Sequence, residues 1–269
     1  MRGRSALPIL VAGLLCLTLF SPVQARSLQD ILSAGEIRIG VNVLIPPRAQ
    51  MDDRNEIVGF DPDVASAIAQ KLGVKLVLVN VNGPERIPFV ASDRIDASMG
   101  GMTRTSERAK VIDFTVPISG NSYGIITRED TGIATLDDLN QENRTIAMSR
   151  GTAVLAAVQA RLPKAKFLLL DNIPDRDRTV AQGRADAIVD LIDSTRVAKT
   201  YPDVKWRIVA TPELAPSFDG IAVAKGNETL RLWLNIAIWE LHNSGTILET
   251  WQKWFGKPMA TPVPVSPFF

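Results

Sequence analysis

The chain has 269 residues, 46% hydrophobic and 22% charged, which suits an ordinary globular protein with one large core or two smaller ones. A formal charge of +1 gives no basic excess of the kind that binds nucleic acid. A single cysteine, Cys16, excludes an internal disulfide, and a single histidine, His242, excludes a His-rich metal site; no cofactor is expected.

Residues 1–25 read as an export signal. Arg2 and Arg4 precede an apolar run over residues 7–20, broken by Pro8, Gly13 and Thr18 and too short for a comfortable membrane span. Ser21-Pro22 ends the run, and Val23-Gln24-Ala25 offers small residues at the cleavage positions. Leu14 and Leu15 precede Cys16 where a lipoprotein signal needs small residues, so lipidation is not expected. Cleavage after Ala25 leaves 28 basic against 29 acidic residues and no cysteine. No later stretch is apolar enough to span a membrane, and the mature chain is expected to be soluble.

Strand-like and helix-like segments then alternate, as in an α/β protein with parallel sheets. Ile37, Ile39 and Val41 alternate in a first strand. In Phe60-Asp61-Pro62, Asp61 suits a helix cap and Pro62 a first helical position. Val64, Ile68 and Leu72 follow at helical spacing, and Gly73 closes the helix. Residues 76–79 read as a strand covered on both faces, and 95–99 as another short strand. After Tyr123, a short helix is predicted from Thr135, a strand over 145–148, a helix over 153–161, and buried strands over 167–170 and 187–189. A strand over 221–224 and two Trp-rich helices, 228–243 and 246–254, complete the pattern. The tail from Pro258 carries four prolines and is expected to be a loosely held arm.

Several motifs, in order, resemble the amino-acid-binding family of periplasmic solute-binding proteins, the polar amino-acid group. They are Gly59-Phe60-Asp61-Pro62-Asp63-Val64-Ala65, Ile95-Asp96-Ala97, Gly101-Met102-Thr103-Arg104-Thr105-Ser106-Glu107-Arg108, and Ile112-Asp113-Phe114-Thr115-Val116-Pro117. Gly151-Thr152, Gly183-Arg184-Ala185-Asp186-Ala187, Gly220-Ile221-Ala222-Val223-Ala224-Lys225 and Trp254-Phe255-Gly256 continue the series. Each is weak alone; their joint order over residues 28–256 is specific. The resemblance implies two α/β lobes joined by two hinge crossovers, near 118–122 and 213–220. Lobe 1 would combine 28–117 with 221–256, lobe 2 would be 123–212, and 257–269 would be the tail. It also implies a monomer in the periplasm that captures an amino acid or close analogue between its lobes and delivers it to an ABC transporter permease.

An α-amino acid needs donors at its carboxylate and acceptors at its ammonium. Arg108 suits the carboxylate because a guanidinium grips it with two parallel hydrogen bonds; the resemblance places the family's ligand-binding Arg there. Arg104, four residues earlier, has no matching role. Thr103 offers a hydroxyl to either group, and Gly101 lets the backbone approach the ligand. Thr152 and Ala153 open a predicted helix whose amides and dipole favour an anion; Thr152 equally suits capping, and both roles can coexist. The resemblance puts the ammonium partner a few residues after Asp186, at Asp190 or at Asp193, neither at the usual spacing; Asp193 also suits capping the next helix.

The side-chain pocket departs from the family. Asn42 stands for the first-strand Asp. Ile45 and Arg48 replace an aromatic, and Glu85-Arg86 replaces another. Loss of these platforms argues against an apolar-stacked or strongly cationic ligand. Arg48 and Arg86 either favour a polar or acidic side chain or are solvated rim charges. Asp96, Asp113, Asp186 and Glu107 read as turn and cap residues, Trp233, Trp239, Trp251 and Trp254 as core anchors, and His242 as a complement to a helix dipole. The same fold includes dehydratase-like enzymes and sensory receptors; no Ser/His/Asp set can be built here, and no enzyme activity is expected.

Overall fold

The computed structural model describes residues 25–192 and 196–266. The export signal up to residue 24 and the candidate Asp193 lie outside them.

The chain opens with α1 (Leu28–Ala34), capped by Ser27 and Asp30, whose side chains answer each other's backbone amides. It continues through β1 (Glu36–Val41), the small hairpin β2 (Gln50–Met51) and β3 (Ile57–Val58), α2 (Phe60–Leu72), β4 (Lys75–Asn80), α3 (Arg86–Ala91), β5 (Ala97–Ser98) and β6 (Ile112–Asn121). A second set follows: β7 (Tyr123–Arg128), β8 (Thr145–Ser149), α4 (Leu155–Arg161), β9 (Lys166–Leu170), α5 (Ile173–Ala181), β10 (Ala187–Leu191), α6 (Arg196–Thr200) and β11 (Trp206–Ala210). The chain then returns through β12 (Ser217–Ala224), α7 (Glu228–Asn243) and α8 (Thr246–Phe255).

Two five-stranded sheets result, in the orders β4-β1-β5-β12-β6 and β11-β7-β10-β8-β9. In the first, β1 runs parallel to β4 and β5; in the second, β8 runs parallel to β9 and β10. Each sheet has its own core. Ile37, Ile39, Phe60, Ile68, Leu234 and Trp251 are fully buried in lobe 1, and Ile125, Ile146, Val158 and Val189 in lobe 2. The lobes are thus two α/β units, joined where β6 runs on into β7 and the chain returns through β12. Those crossing strands pair with each other, Ser119, Gly120 and Asn121 standing opposite Asp219, Phe218 and Ser217. A two-stranded antiparallel link bends more easily than a packed core, as a hinge must.

Several local expectations are corrected. Asp61 does not cap α2; Gly59 does, at φ 145°, where a Cβ would lie 2.3 Å from the Arg48 carbonyl oxygen. Asp61 is instead buried, accepting from the Gly100 amide at 2.9 Å. Residues 76–79 and 167–170 are strands, but they lie at sheet edges with one neighbour each, and their residues are only partly buried. The helix expected from residue 153 starts at Leu155 and has no side-chain cap. His242 does not complement a dipole as a cation. Its Nε2 lies 2.9 Å from the Pro117 carbonyl, and burial pushes its pKa down, so the ring is neutral at pH 7. The tail is anchored at one point: the Thr261 hydroxyl meets Ser122 at 3.2 Å, and its carbonyl abuts Gly120 on the crossover strand.

Candidate functional site

Parallel strands of both sheets end at the space between the lobes, the usual position for a ligand in open α/β sheets. The space is a cleft of about 110 Å³, suited to one small molecule. Lobe 1 contributes Asn42 after β1, Gly101 and Thr103 after β5, Arg86 at the start of α3, and Arg108. Lobe 2 contributes Gly151, Thr152 and Ala153 after β8, Asp171 after β9 and Asp190 on β10.

Arg108 spans the cleft. Its Nη1 donates to the Thr103 carbonyl and its Nη2 to the Gly151 carbonyl on the other lobe, both at 2.8 Å. Burial lowers its pKa, Asp219 and Tyr123 acting in the opposite sense, yet a guanidinium stays charged at neutral pH. Thr103 is 7% exposed, and its hydroxyl donates to Asp219 Oδ1 at 3.0 Å. That leaves it only lone pairs for a ligand, which suits an ammonium rather than a carboxylate. Gly101 adopts φ 65°, a left-handed conformation that favours glycine. Thr152 and Ala153 reach the cleft, but the Thr152 amide is drawn to the Ser149 carbonyl at 3.3 Å, and the helix behind them begins two residues later than expected.

Four expectations change more. Asn42 is 3% exposed, and its Oδ1 accepts from the Leu44 amide at 3.0 Å, so it builds the turn at the cleft wall. Arg48 is neither a rim charge nor an open anion hook. It is 4% exposed, 2.8 Å from Asp219 and 3.6 Å from Asp61, and donates to Asn121 at 2.7 Å and Ser119 at 3.1 Å. Its charge ties the β1 loop to both crossover strands. Asp190 lies on the cleft wall as expected, but already carries an ion pair with Arg176. Arg86 is 8% exposed, also no rim charge; burial and then the neighbouring Arg108 push its pKa down to about 10, with Asp219 and Asp61 pulling it back.

The residues that sequence reasoning missed complete two buried networks. One joins Arg48, Asp61, Asp219, Ser119 and Asn121 at the hinge. Asn121 donates to Asp219 at 2.6 Å. Burial, opposed by Arg48, raises the Asp61 pKa to about 6. The other joins Arg176, Asp177, Asp190 and Arg196 behind the lobe 2 wall. Burial opposes the charge of Arg176, but its carboxylate partners more than offset this and raise its pKa. A signal existed for Asp219, an acid inside an otherwise apolar crossover strand; none existed for Arg176, which sits in a charged run that reads as a solvated helix face.

Comparison with known proteins agrees with this geometry. Residues 37–257 match the family model of the bacterial extracellular solute-binding proteins, family 3. The ABC transporter arginine-binding protein 1 of Escherichia coli is 30% identical over 226 residues, covering 83% of this chain and 92% of that one. The L-cystine-binding protein TcyJ of the same organism is 27% identical over 264 residues, covering 94% and 96%. Among solved structures, an ancestral amino-acid-binding protein, a precursor of cyclohexadienyl dehydratase, superposes with a TM-score of 0.75 at 31% identity, covering 85% of this chain and 98% of that chain. The cleft between two α/β lobes and the match over most of its length lead to one conclusion: the chain belongs to the bacterial extracellular solute-binding proteins, family 3.

Proposed function

We propose that the protein captures an amino acid or close analogue in the periplasm and delivers it, as a monomer, to an ABC transporter permease. The observation that carries this reading is Arg108, a guanidinium whose bonds reach both lobes across a cleft sized for one small molecule. A carboxylate drawn to it would replace carbonyl partners on both sides and lock the lobes together. Relatives named for arginine and cystine binding support an amino-acid class without choosing its member. The reading includes export, with a mature start near Arg26, and lobes of 28–117 plus 221–256 and 123–212.

Binding rather than turnover is supported by the state of the cleft carboxylates. A general acid or base must be placed within hydrogen-bond reach of the proton it moves. Asp190 is ion-paired with Arg176 and Asp171 with Arg150, while Glu85 is exposed and off the cleft wall. A thermal-shift screen of the twenty amino acids tests the reading, because a ligand of the folded state raises Tm. A panel with no stabilising amino acid or close analogue would reject it. Conversion of a prephenate-like acid by the purified protein would move it to the enzymes.

A further inference from the structure

The cleft of a zwitterion-binding protein needs one cation for the carboxylate. Among the described residues, lobe 1 brings three guanidiniums to this wall: Arg48, Arg86 and Arg108. They are not equivalent. Arg48 is matched by Asp219 and Asp61. Among the described residues, Arg86 and Arg108 have no carboxylate within 4.0 Å; their partners there are backbone carbonyls. Arg86 donates from Nε to Gly83 at 3.2 Å and from Nη1 to Gly100, leaving Nη2 without a bond. Asp61 and Asp219 lie near enough to pull on its charge, but they face Arg48, Thr103, Asn121 and the Gly100 amide, with Asp61 Oδ1 only 3.6 Å from Arg48 and without a hydrogen bond. A buried cation without a counter-ion is costly, and a second cation beside it makes it more so. Burial and the charge of Arg108 already depress the Arg86 pKa.

Among the described residues, lobe 2 adds no buried unpaired carboxylate. Asp190 is ion-paired with Arg176, and Asp171 lies largely exposed beside Arg150. A cationic ligand side chain would therefore meet guanidinium without, among the described residues, a buried unpaired carboxylate to receive it.

We propose that the solute is a compact dicarboxylate, an acidic amino acid, with one carboxylate on Arg108 and the second on Arg86. This rests on the solute-binding reading above and names its ligand class.

Titration calorimetry of the mature protein with L-glutamate, L-aspartate, L-glutamine, L-asparagine and L-arginine decides between the two levels. The acid should bind at least thirty-fold more tightly than its amide, because the amide leaves Arg86 uncompensated. Glutamine or arginine binding as tightly as glutamate would overturn the dicarboxylate and leave the solute-binding reading intact. Binding of none of the five, together with a silent screen of close analogues, would reject both. Arg86→Gln should erase the preference for acid over amide. A folded Arg86→Gln protein that keeps the preference would overturn the assignment. Should that variant not fold, the acid-to-amide ratio of the unmodified protein still decides.

Discussion

The two walls of the cleft are built from similar chemistry put to different use. Among the described residues, lobe 2 pairs its charges at the cleft: Arg176 with Asp177 and Asp190, Arg196 with Asp177, and, at the exposed rim, Arg150 with Asp171. Lobe 1 leaves Arg86 and Arg108 on carbonyls. Elsewhere the lobes match. Asp96 accepts from the amide of Arg38 on β1 at 2.7 Å, and Asp186 from the amide of Thr145 on β8 at 2.7 Å. Each of these carboxylates also takes an Arg, Arg38 or Arg144. The shared device holds the sheets; the unshared one sets the cleft. Charge that is already paired shapes a surface, and charge left on carbonyls selects a ligand.

The sharpest way to break this contrast is to unpair lobe 2. Arg176→Met leaves Asp177 with Arg196 alone and Asp190 without its ion-pair partner. Removing one side of a buried pair costs about 3–5 kcal/mol, which urea denaturation should read as a lower midpoint at unchanged slope. An unchanged midpoint would mean that the lobe 2 network is only loosely coupled. Next in size is Arg108→Ala, which removes the link across the cleft. Affinity for the best amino-acid ligand should fall about thirty- to several-thousand-fold, with folding retained because Arg108 is only half-buried. Arg108→Lys should recover little, since an ammonium lacks the planar fork. Arg104→Ala, exposed and off this cleft wall, is the control and should cost less. Near-wild-type affinity in folded Arg108→Ala would remove the carboxylate from this residue.

The outline of the fold was legible because it rests on local signals. Alternation named β1, and 3.6-residue spacing closed by Gly73 named α2. The helix α7 matches its expected bounds, 228–243. The ordered motifs brought Arg108, Gly101 and Thr103 to one cleft. What failed was pairing across distance. Arg48 and Asp219 are 171 residues apart, so nothing near Arg48 says that its charge is matched. Arg176 and Asp190 sit on different elements in the same way. Sequence spacing names the charged residues near a site; whether a charge is free is set by tertiary neighbours. The strand edges failed for a related reason, because apolar runs do not say which strand ends a sheet.

Asp61 sharpens the comparison through pH, because its pKa is raised from 3.8 to about 6 by burial behind the lobe 1 wall. The unfolded chain releases this proton near pH 4, and the folded chain keeps it until about pH 6. The contribution to stability is therefore full below pH 4 and is lost as pH rises through 6. At about 1.4 kcal/mol per unit of pH, the loss is on the order of 3 kcal/mol. Asp61→Asn has no proton to release, so its stability relative to wild type should improve from pH 4 to 6.5. A constant wild-type-to-variant difference across that window would show that Asp61 is ionised throughout.

The smallest expected effect concerns what lies over the joint between the lobes. The tail crosses it: the Thr261 carbonyl would lie 2.1 Å from a Cβ at Gly120, and its hydroxyl meets Ser122. Val263, Pro264 and Val265 continue beside Trp239 and His242. Gly120→Ala cannot coexist with this docking, since real Cβ atoms do not approach a carbonyl oxygen that closely; the tail must lift. The substitution should cost about 1 kcal/mol, a small share of the interactions that hold the crossover strands. Truncation after Ala260 should cost a similar amount and free the face over His242, whose pKa should rise towards its ordinary value. The two changes remove the same contact, so together they should cost no more than either alone. A double-mutant cycle followed by denaturation measures that coupling, and His242 ring resonances followed against pH measure the exposure. Additive costs, or a His242 titration unmoved by truncation, would mean that the tail lies on the hinge without holding it, and that the two walls of the cleft move independently of it.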